Sequence, residues 1–505
     1  MTRFALTVAL ALTLLLGGVS EAAKSTRHHR APTPRPRVAE VTKGGVQFVP
    51  VALEGSLRSS WTQYGPGGVL EARAVVEGAA CPYIFIDLQR SLMAPHNVAD
   101  EKFLTVCAAA IPAGTRQAAL AFPLLHAPLP PSGAGEDVWK EWIEKETGLP
   151  VPGPGTTEFD RQKWRDEIAA RAKYAVVPLA LPVSDPQRIL VLGDTGCRIK
   201  DKTLQDCSDP AKWPFARIAA EAARLKPDLV IHVGDYLYRE SACPPDFAGC
   251  AGTPFGDNWP TWDVDFFAPA RPLLAVAPWV IVRGNHEDCG RAGPGFLRLL
   301  GPTAYDPAAP CAAHVAPYTV PLGSLDLVVL DNSDAPDTSV AEASVPGYRQ
   351  ELAALGQAKT PSWLVLHRPI WAAITGPLGM PIGGNLTTIT AAGSTGIPAP
   401  VELMLAGHIH TFEAINYGRE PRVPPQIVAG NGGDLLDETP SQLRGTVFQG
   451  NSGVRVSDGI SLGGFGFLLM TRAGDGWTID VHDWQGRIER QCVFRAGRVD
   501  CPARR

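Results

Sequence analysis

Five times in this chain a short, nearly unbroken apolar run closes on a cluster of polar residues, and no other feature limits the fold as much. Ile189-Leu190-Val191-Leu192 runs into Gly193-Asp194-Thr195-Gly196, and Leu229-Val230-Ile231-His232-Val233 into Gly234-Asp235-Tyr236-Leu237-Tyr238. Trp279-Val280-Ile281-Val282-Arg283 runs into Gly284-Asn285-His286-Glu287. Downstream, Trp363-Leu364-Val365-Leu366 ends at His367, and Leu403-Met404-Leu405-Ala406-Gly407 ends at His408-Ile409-His410. Runs of this length, rich in Val and Ile and without polar alternation, read as parallel strands buried on both faces. In open α/β sheets ligands collect beyond the carboxyl ends of such strands, so these polar clusters should converge on one site. Their candidate donors are two Asp (194 and 235), one Tyr (238), one Asn (285) and four His (286, 367, 408 and 410). Carboxylate, phenolate, amide and imidazole donors suit borderline to hard transition metals, not a soft thiolate site.

With 505 residues the chain exceeds one ordinary core, and two domains are expected. The net charge of -5 is mild and gives no basis for a specific nucleic-acid surface. Met1-Thr2-Arg3, the apolar residues 4–16 and Ser20-Glu21-Ala22-Ala23 have the three parts of a secretory signal peptide, assigned to residues 1–23. The apolar part is short for a bilayer span, although an uncleaved N-terminal anchor is the alternative. No second segment approaches spanning length, so the mature chain is expected without a transmembrane anchor, secreted or periplasmic. Residues 24–44, with Arg27-His28-His29-Arg30 and several Pro, read as a basic, solvated linker.

Export changes the meaning of the ten cysteines, because disulfides persist in oxidising compartments. Short separations make local pairs plausible: Cys81 with Cys107, Cys197 with Cys207, Cys243 with Cys250, Cys289 with Cys311, and Cys492 with Cys501. Separation alone does not fix connectivity. A cysteine-rich zinc site would need close CxxC pairs, and none occurs.

Residues 45–187 read as a β-rich N-terminal domain with a helical insertion. Apolar segments at 46–51, 72–76, 83–86, 103–106 and 118–122, separated by Gly, Pro and polar turns, suggest a small sandwich-like unit. Helical segments follow at 137–146 and 159–171, between Pro and Gly breakers. From residue 188 strands alternate with helices such as 214–225, where Phe215, Ile218, Ala219, Ala222 and Leu225 recur at helical spacing, and such alternation means an α/β domain. Long loops are expected at 243–260 and 376–400, and strands return at 477–481 and 491–494.

Singly the polar clusters are weak evidence. Asp194 and Asp235 also suit helix caps, Tyr238 a packed aromatic, Asn285 a turn, and His286, His367, His408 and His410 ordinary hydrogen-bonded roles. In this order, however, GDTG, GDYLY, GNHE, a strand-terminal His and GHIH resemble the calcineurin-like metallophosphoesterase superfamily, and within it the purple acid phosphatase branch. The resemblance covers residues 188–416. Gly196 stands where many members carry a His, and Tyr238 matches the GDxxY of the purple branch. Leu364 is a small departure, since Val is frequent there.

The resemblance implies an α/β/β/α layered metallophosphoesterase domain over 188–505, behind the β-rich N-terminal domain. It implies a first metal held by Asp194, Asp235, Tyr238 and His410, and a second by Asp235, Asn285, His367 and His408, with Asp235 bridging. A phenolate ligand, whose ordinary pKa is about 10, calls for Fe3+ at the Tyr238 site, with Fe2+, Zn2+ or Mn2+ as second ion. His286 would be the catalytic side chain, facing a phosphate ester substrate attacked by metal-bound water or hydroxide. An acid phosphomonoesterase is the leading expectation. A phosphodiesterase on nucleotides or lipid head groups, or an exported metal-binding protein without turnover, are the alternatives. His232 reads as a core residue, Arg239 and Arg368 as salt-bridge partners, most of Trp213, Trp259, Trp262 and Trp371 as packing, and Asn385-Leu386-Thr387 as a glycosylation sequon.

Overall fold

The structure, a computed structural model, describes residues 54–503 except 88, 125–135, 148–149, 152, 154–156, 158–172, 376–380, 420 and 449–452. The expected signal peptide, the linker, the segment at 46–51 and the helix at 159–171 lie outside the described residues.

All five apolar runs are strands: Arg188–Leu192, Leu229–His232, Trp279–Ile281, Ser362–Val365 and Val401–Ala406. The first three pair in parallel, Ile189 beside Leu229 and Val230 beside Trp279, at the centre of an 11-stranded sheet. The other two lie in a 7-stranded sheet, parallel to each other and to Asp326–Val329 and Gln426–Ala429. Alternate residues of each strand face opposite sides. Val191, Ile231, Val365 and Leu405 meet between the two sheets. Leu190, Leu192, Val230 and Trp279 pack outward against the helices Phe215–Arg224, Ala268–Leu274 and Gly293–Leu299. Leu364, Leu366 and Met404 pack outward under Val345–Ala354 and Leu386–Ala392. Each sheet is thus covered on one face by the other sheet and on one by helices, which is the expected α/β/β/α layering.

The N-terminal region is rich in strands, yet its strands do not form a sandwich apart. Leu57–Tyr64 lies parallel to Trp279–Ile281, with Gln63 beside Trp279, and Leu70–Val76, Thr105–Ile111 and Ala94–Asn97 extend the same large sheet. A four-stranded sheet takes Gln89–Leu92, Tyr83–Ile86, Ala118–Leu124 and Lys173–Pro178. The physical reason is the exposed flank that Trp279–Ile281 would otherwise present; pairing satisfies its backbone groups. The helix expected at 137–146 spans Glu136–Thr147. Within the expected loop 376–400 lies a short helix, Leu386–Ala392, which composition hides because its nucleus is the cap: Asn385 Oδ1 accepts from Thr388 N at 2.9 Å. All five short-range disulfides are present, 81–107, 197–207, 243–250, 289–311 and 492–501.

Candidate metal centre

The strand ends converge as their order implies, and the chain bends sharply where they do. Asp194, Asp235 and His408 have left-handed backbones, with φ of 56°, 59° and 70°. Non-glycine residues in that region are uncommon and strained, and strain of this kind gathers at functional sites. Neighbouring glycines make room: a Cβ at Gly284 would collide with the Asp235 carboxylate, and one at Gly234 with the His367 ring.

The hydroxyl of Tyr238 sits 3.0 Å from Asp194 Oδ1, 2.8 Å from Asp235 Oδ2 and 3.1 Å from His410 Nε2. A phenol has one proton, so it can satisfy only one of these three acceptors. His410 Nδ1 is 2.5 Å from the Leu435 carbonyl and donates to it, which leaves the lone pair of Nε2 facing Tyr238. On the other side of Asp235, His367 Nδ1 donates to Val233 O at 2.7 Å, and Nε2 lies 2.9 Å from Asn285 Oδ1 and 3.1 Å from Asp235 Oδ2. Ligand atoms of Asp235, His367 and His408 all lie within 4.8 Å of one another. With both imidazoles neutral, lone pairs face lone pairs on both sides of one buried carboxylate. Cations resolve such crowding, and the donor set suits them.

The electrostatics agree. Burial pushes the Tyr238 phenol well above its ordinary value and the charges of Asp194 and Asp235 push it further, so a phenolate there calls for a strongly acidic cation. For His367 and His410 burial pulls downward, but Asp235 beside the first and Asp434 and Asp194 beside the second prevail, raising them to about 9 and about 10. Protons thus stand where positive charge is favoured.

His286 is buried, with its ring centroid 3.9 Å from that of Tyr238 and its backbone N–H donating to Asp235 Oδ1 at 2.8 Å. Its Nδ1 is 2.6 Å from Glu240 Oε1, close but poorly aligned for a hydrogen bond, and Nε2 is 3.9 Å from Asp235 Oδ2. Burial would raise the Glu240 carboxyl, but His286 and Lys200 hold it down at about 2. A carboxylate on Nδ1 turns Nε2 toward the cluster.

Several supporting residues escape a motif-by-motif reading. Glu287 is fully buried and accepts backbone N–H groups of Asp235, Tyr236, Leu237 and Gly284 at 2.9–3.1 Å, fixing the second motif to the third. Asp265 does the same between the first and second, accepting from Cys197 N at 2.9 Å and Tyr238 N at 2.8 Å. Asn332 Oδ1 receives the backbone N–H of His367 and Arg368 at 3.3 and 3.0 Å. Asp434 pairs with Arg198, whose guanidinium lies 4.7 Å over the Tyr238 ring. For Asn332 and Asp434 the signal was present: Leu327-Val328-Val329-Leu330 closes on Asp331-Asn332, and Ile427-Val428-Ala429 on Gly430-Asn431-Gly432-Gly433-Asp434, in the same pattern as the five motifs.

Residues outside the centre take the ordinary roles expected. His232 is buried and stacked on Tyr236 with centroids 4.0 Å apart; Arg239 pairs with Asp265 and Arg368 with Asp337. Trp259, Trp262 and Trp371 are buried in packing. The sequon is a correction: Asn385 is fully buried, its Nδ2 donating to Ala335 O and Asp337 Oδ1 at 2.8 and 2.9 Å, and it offers no access for a glycan in the folded chain.

Residues 187–412 match the family model described as calcineurin-like phosphoesterase. No curated protein matches the chain. Among solved structures, a purple acid phosphatase from yellow lupin (Lupinus luteus) seeds superposes with TM-score 0.50 at 13% identity, over 86% of this chain and 74% of that one. PhoD gives TM-score 0.46 at 10% identity, over 91% and 94%. A dimetal phosphatase from Danio rerio gives 0.33 at 13% identity, over 62% and 99%. At 13% identity the likeness to the lupin enzyme is one of fold. Residues 187–412, a little under half of the chain, form a calcineurin-like phosphoesterase domain, the part that makes it a metal-dependent phosphatase.

Proposed function

We propose that this chain is an exported acid phosphomonoesterase of the purple type. The observation that carries the reading is the Tyr238 hydroxyl set among Asp194, Asp235 and His410. Tyr238, Asp194, Asp235 and His410 hold Fe3+, and Asp235, Asn285, His367 and His408 hold Fe2+, Zn2+ or Mn2+. When bound, two such cations clamp phosphate oxygens and lower the pKa of water.

The chain's own groups then have distinct tasks. The Val233 and Leu435 carbonyls hold His367 and His410 with Nε2 turned inward. Glu287 keeps Asp235 and Asn285 in register by tying together the loops that carry them. His286, oriented through Nδ1 by Glu240, presents Nε2 to the phosphoryl group, where it stabilises charge or gives a proton to the departing oxygen. Export is supported by the signal-like N-terminus and by five disulfides. No helix among the described residues is long and apolar enough to cross a membrane.

The test is metal analysis and visible spectroscopy on the oxidised chain, with hydrolysis of a chromogenic phosphomonoester and a phosphodiester. Two metals including iron, a visible band lost in Tyr238→Phe, and monoester preference are expected. A band that survives Tyr238→Phe overturns the purple assignment. Diester preference with both metals in place overturns the substrate class and leaves the centre standing.

A further inference from the structure

His408 differs from the other two histidines read as metal ligands in what holds its ring. Those at 367 and 410 are fixed by backbone carbonyls; His408 Nε2 instead meets a carboxylate, Asp337 Oδ2, at 2.9 Å. Arg368 approaches the same nitrogen at 3.4 Å and pairs with the same carboxylate. An imidazole nitrogen so engaged is not free for a cation. One ring nitrogen of His408 lies within 4.8 Å of ligand atoms of Asp235 and His367, and with Nε2 engaged Nδ1 is the one left for a cation shared with them.

Asp337 is itself held. Its Oδ1 accepts from Asn385 Nδ2 at 2.9 Å, and its backbone carbonyl accepts from Leu386 N at 3.1 Å. Asn385 has no freedom to choose another orientation. Its second N–H donates to Ala335 O, and its Oδ1 accepts from Thr388 N and Thr388 Oγ1 at 2.9 and 2.8 Å. The N-terminus of Leu386–Ala392 is therefore tied through Asn385 and Asp337 to the ring of His408. The backbone of His408 is fixed separately, its N–H on the Asp194 carboxylate at 2.9 Å.

We infer that Asp337 is a positioning residue for the second metal position, keeping His408 protonated on Nε2 with Nδ1 presented to the cation, while Asn385 and Arg368 hold Asp337 in place. This rests on the reading of His408 as a ligand of that position. It also gives the buried sequon asparagine a task that excludes glycosylation. Outer partners of metal-bound histidines characteristically change metal affinity by about 10–100-fold when removed.

Asp337 is partly exposed on a loop, so substitutions there should fold. In the full-length oxidised chain, the affinity for Zn2+ at the second position is measured by equilibrium dialysis with iron retained, alongside thermal unfolding. Asp337→Asn is expected to bind the second metal about 10–100-fold more weakly, with the Tyr238 band and melting temperature kept, and Asp337→Glu to recover part of the loss. Second-metal affinity within twofold of wild type, or equal loss of both metals, overturns the role of Asp337. If the wild type takes no second metal, it is the ligand assignment that fails. An independent readout needs no substitution: in the zinc-loaded wild type, 15N histidine spectra should show Nδ1 of His408 coordinated and Nε2 carrying hydrogen. The reverse assignment overturns the inference.

Discussion

Gly196 and Tyr238 depend on each other. A Cβ at 196 would lie 2.7 Å from Tyr236 O, 2.8 Å from Asp265 Oδ2 and 2.9 Å from Tyr238 Cδ2. A side chain in the first motif and a tyrosine in the second thus compete for one volume, which explains physically why Gly accompanies Tyr here. Gly196→Ala should destabilise the chain by about 1–3 kcal/mol, as overpacking does, and weaken the visible band by displacing the ring. Thermal unfolding together with the absorption spectrum checks this; an unchanged melting temperature and band would sink it. At this scale the inward-facing residues were legible, because Asp194, Asp235, Tyr238, Asn285 and the four histidines 286, 367, 408 and 410 stand at strand ends. Glu287, Asp265 and Asp337 were not. What they do depends on which distant backbone N–H or ring comes within 3 Å, and spacing along the chain does not carry that information.

Strands with apolar faces were readable as elements, and those with buried polar faces were not. Leu57–Tyr64 went unseen because Ser59, Thr62 and Gln63 look like surface residues, yet all are buried. Thr62 Oγ1 donates to Ala180 O at 2.8 Å and Gln63 Nε2 to Leu300 O at 3.0 Å, which offsets the cost of burying them. Phe412–Tyr417 holds a harder case. Glu413 is fully buried in mid-strand opposite Ser461, with Oε2 on Ala373 N at 3.2 Å and Oε1 unpartnered. Burial, aided by the charge of Asp437, raises its carboxyl from 4.5 to about 8. Because the folded value lies above the unfolded one, its contribution to stability is complete below pH 4.5 and is lost as pH rises through 8. Glu413→Gln keeps the acceptor for Ala373 and removes the charge. Its melting temperature should exceed that of wild type at pH 8 by more than at pH 5. An equal difference at both pH values would show that Glu413 does not titrate between them.

Across the whole molecule, the family match begins at residue 187 while the sheet that carries the centre begins much earlier. Trp61 packs on Phe267 with ring centroids 5.2 Å apart, Arg73 donates to Gly301 O at 3.0 Å, and Tyr64, Ala72 and Ala74 enter the core between the sheets. Take these strands away and Trp279–Ile281, which leads directly to Asn285, becomes an open edge with apolar surface on both faces. Such an edge exposes unpaired N–H and C=O groups and invites association. A chain begun at residue 187 should therefore lack a cooperative unfolding transition and aggregate, even with its disulfides formed. Supplying residues 54–186 as a separate polypeptide should restore soluble material, because the lost contacts are mainly side-by-side strand pairing and packing. Size-exclusion chromatography and thermal unfolding of the shortened chain decide the matter. A monomeric, cooperatively unfolding 187–505 that binds two metals would show that the centre needs only the matched domain and the C-terminal strands, and that the N-terminal strands serve some other purpose.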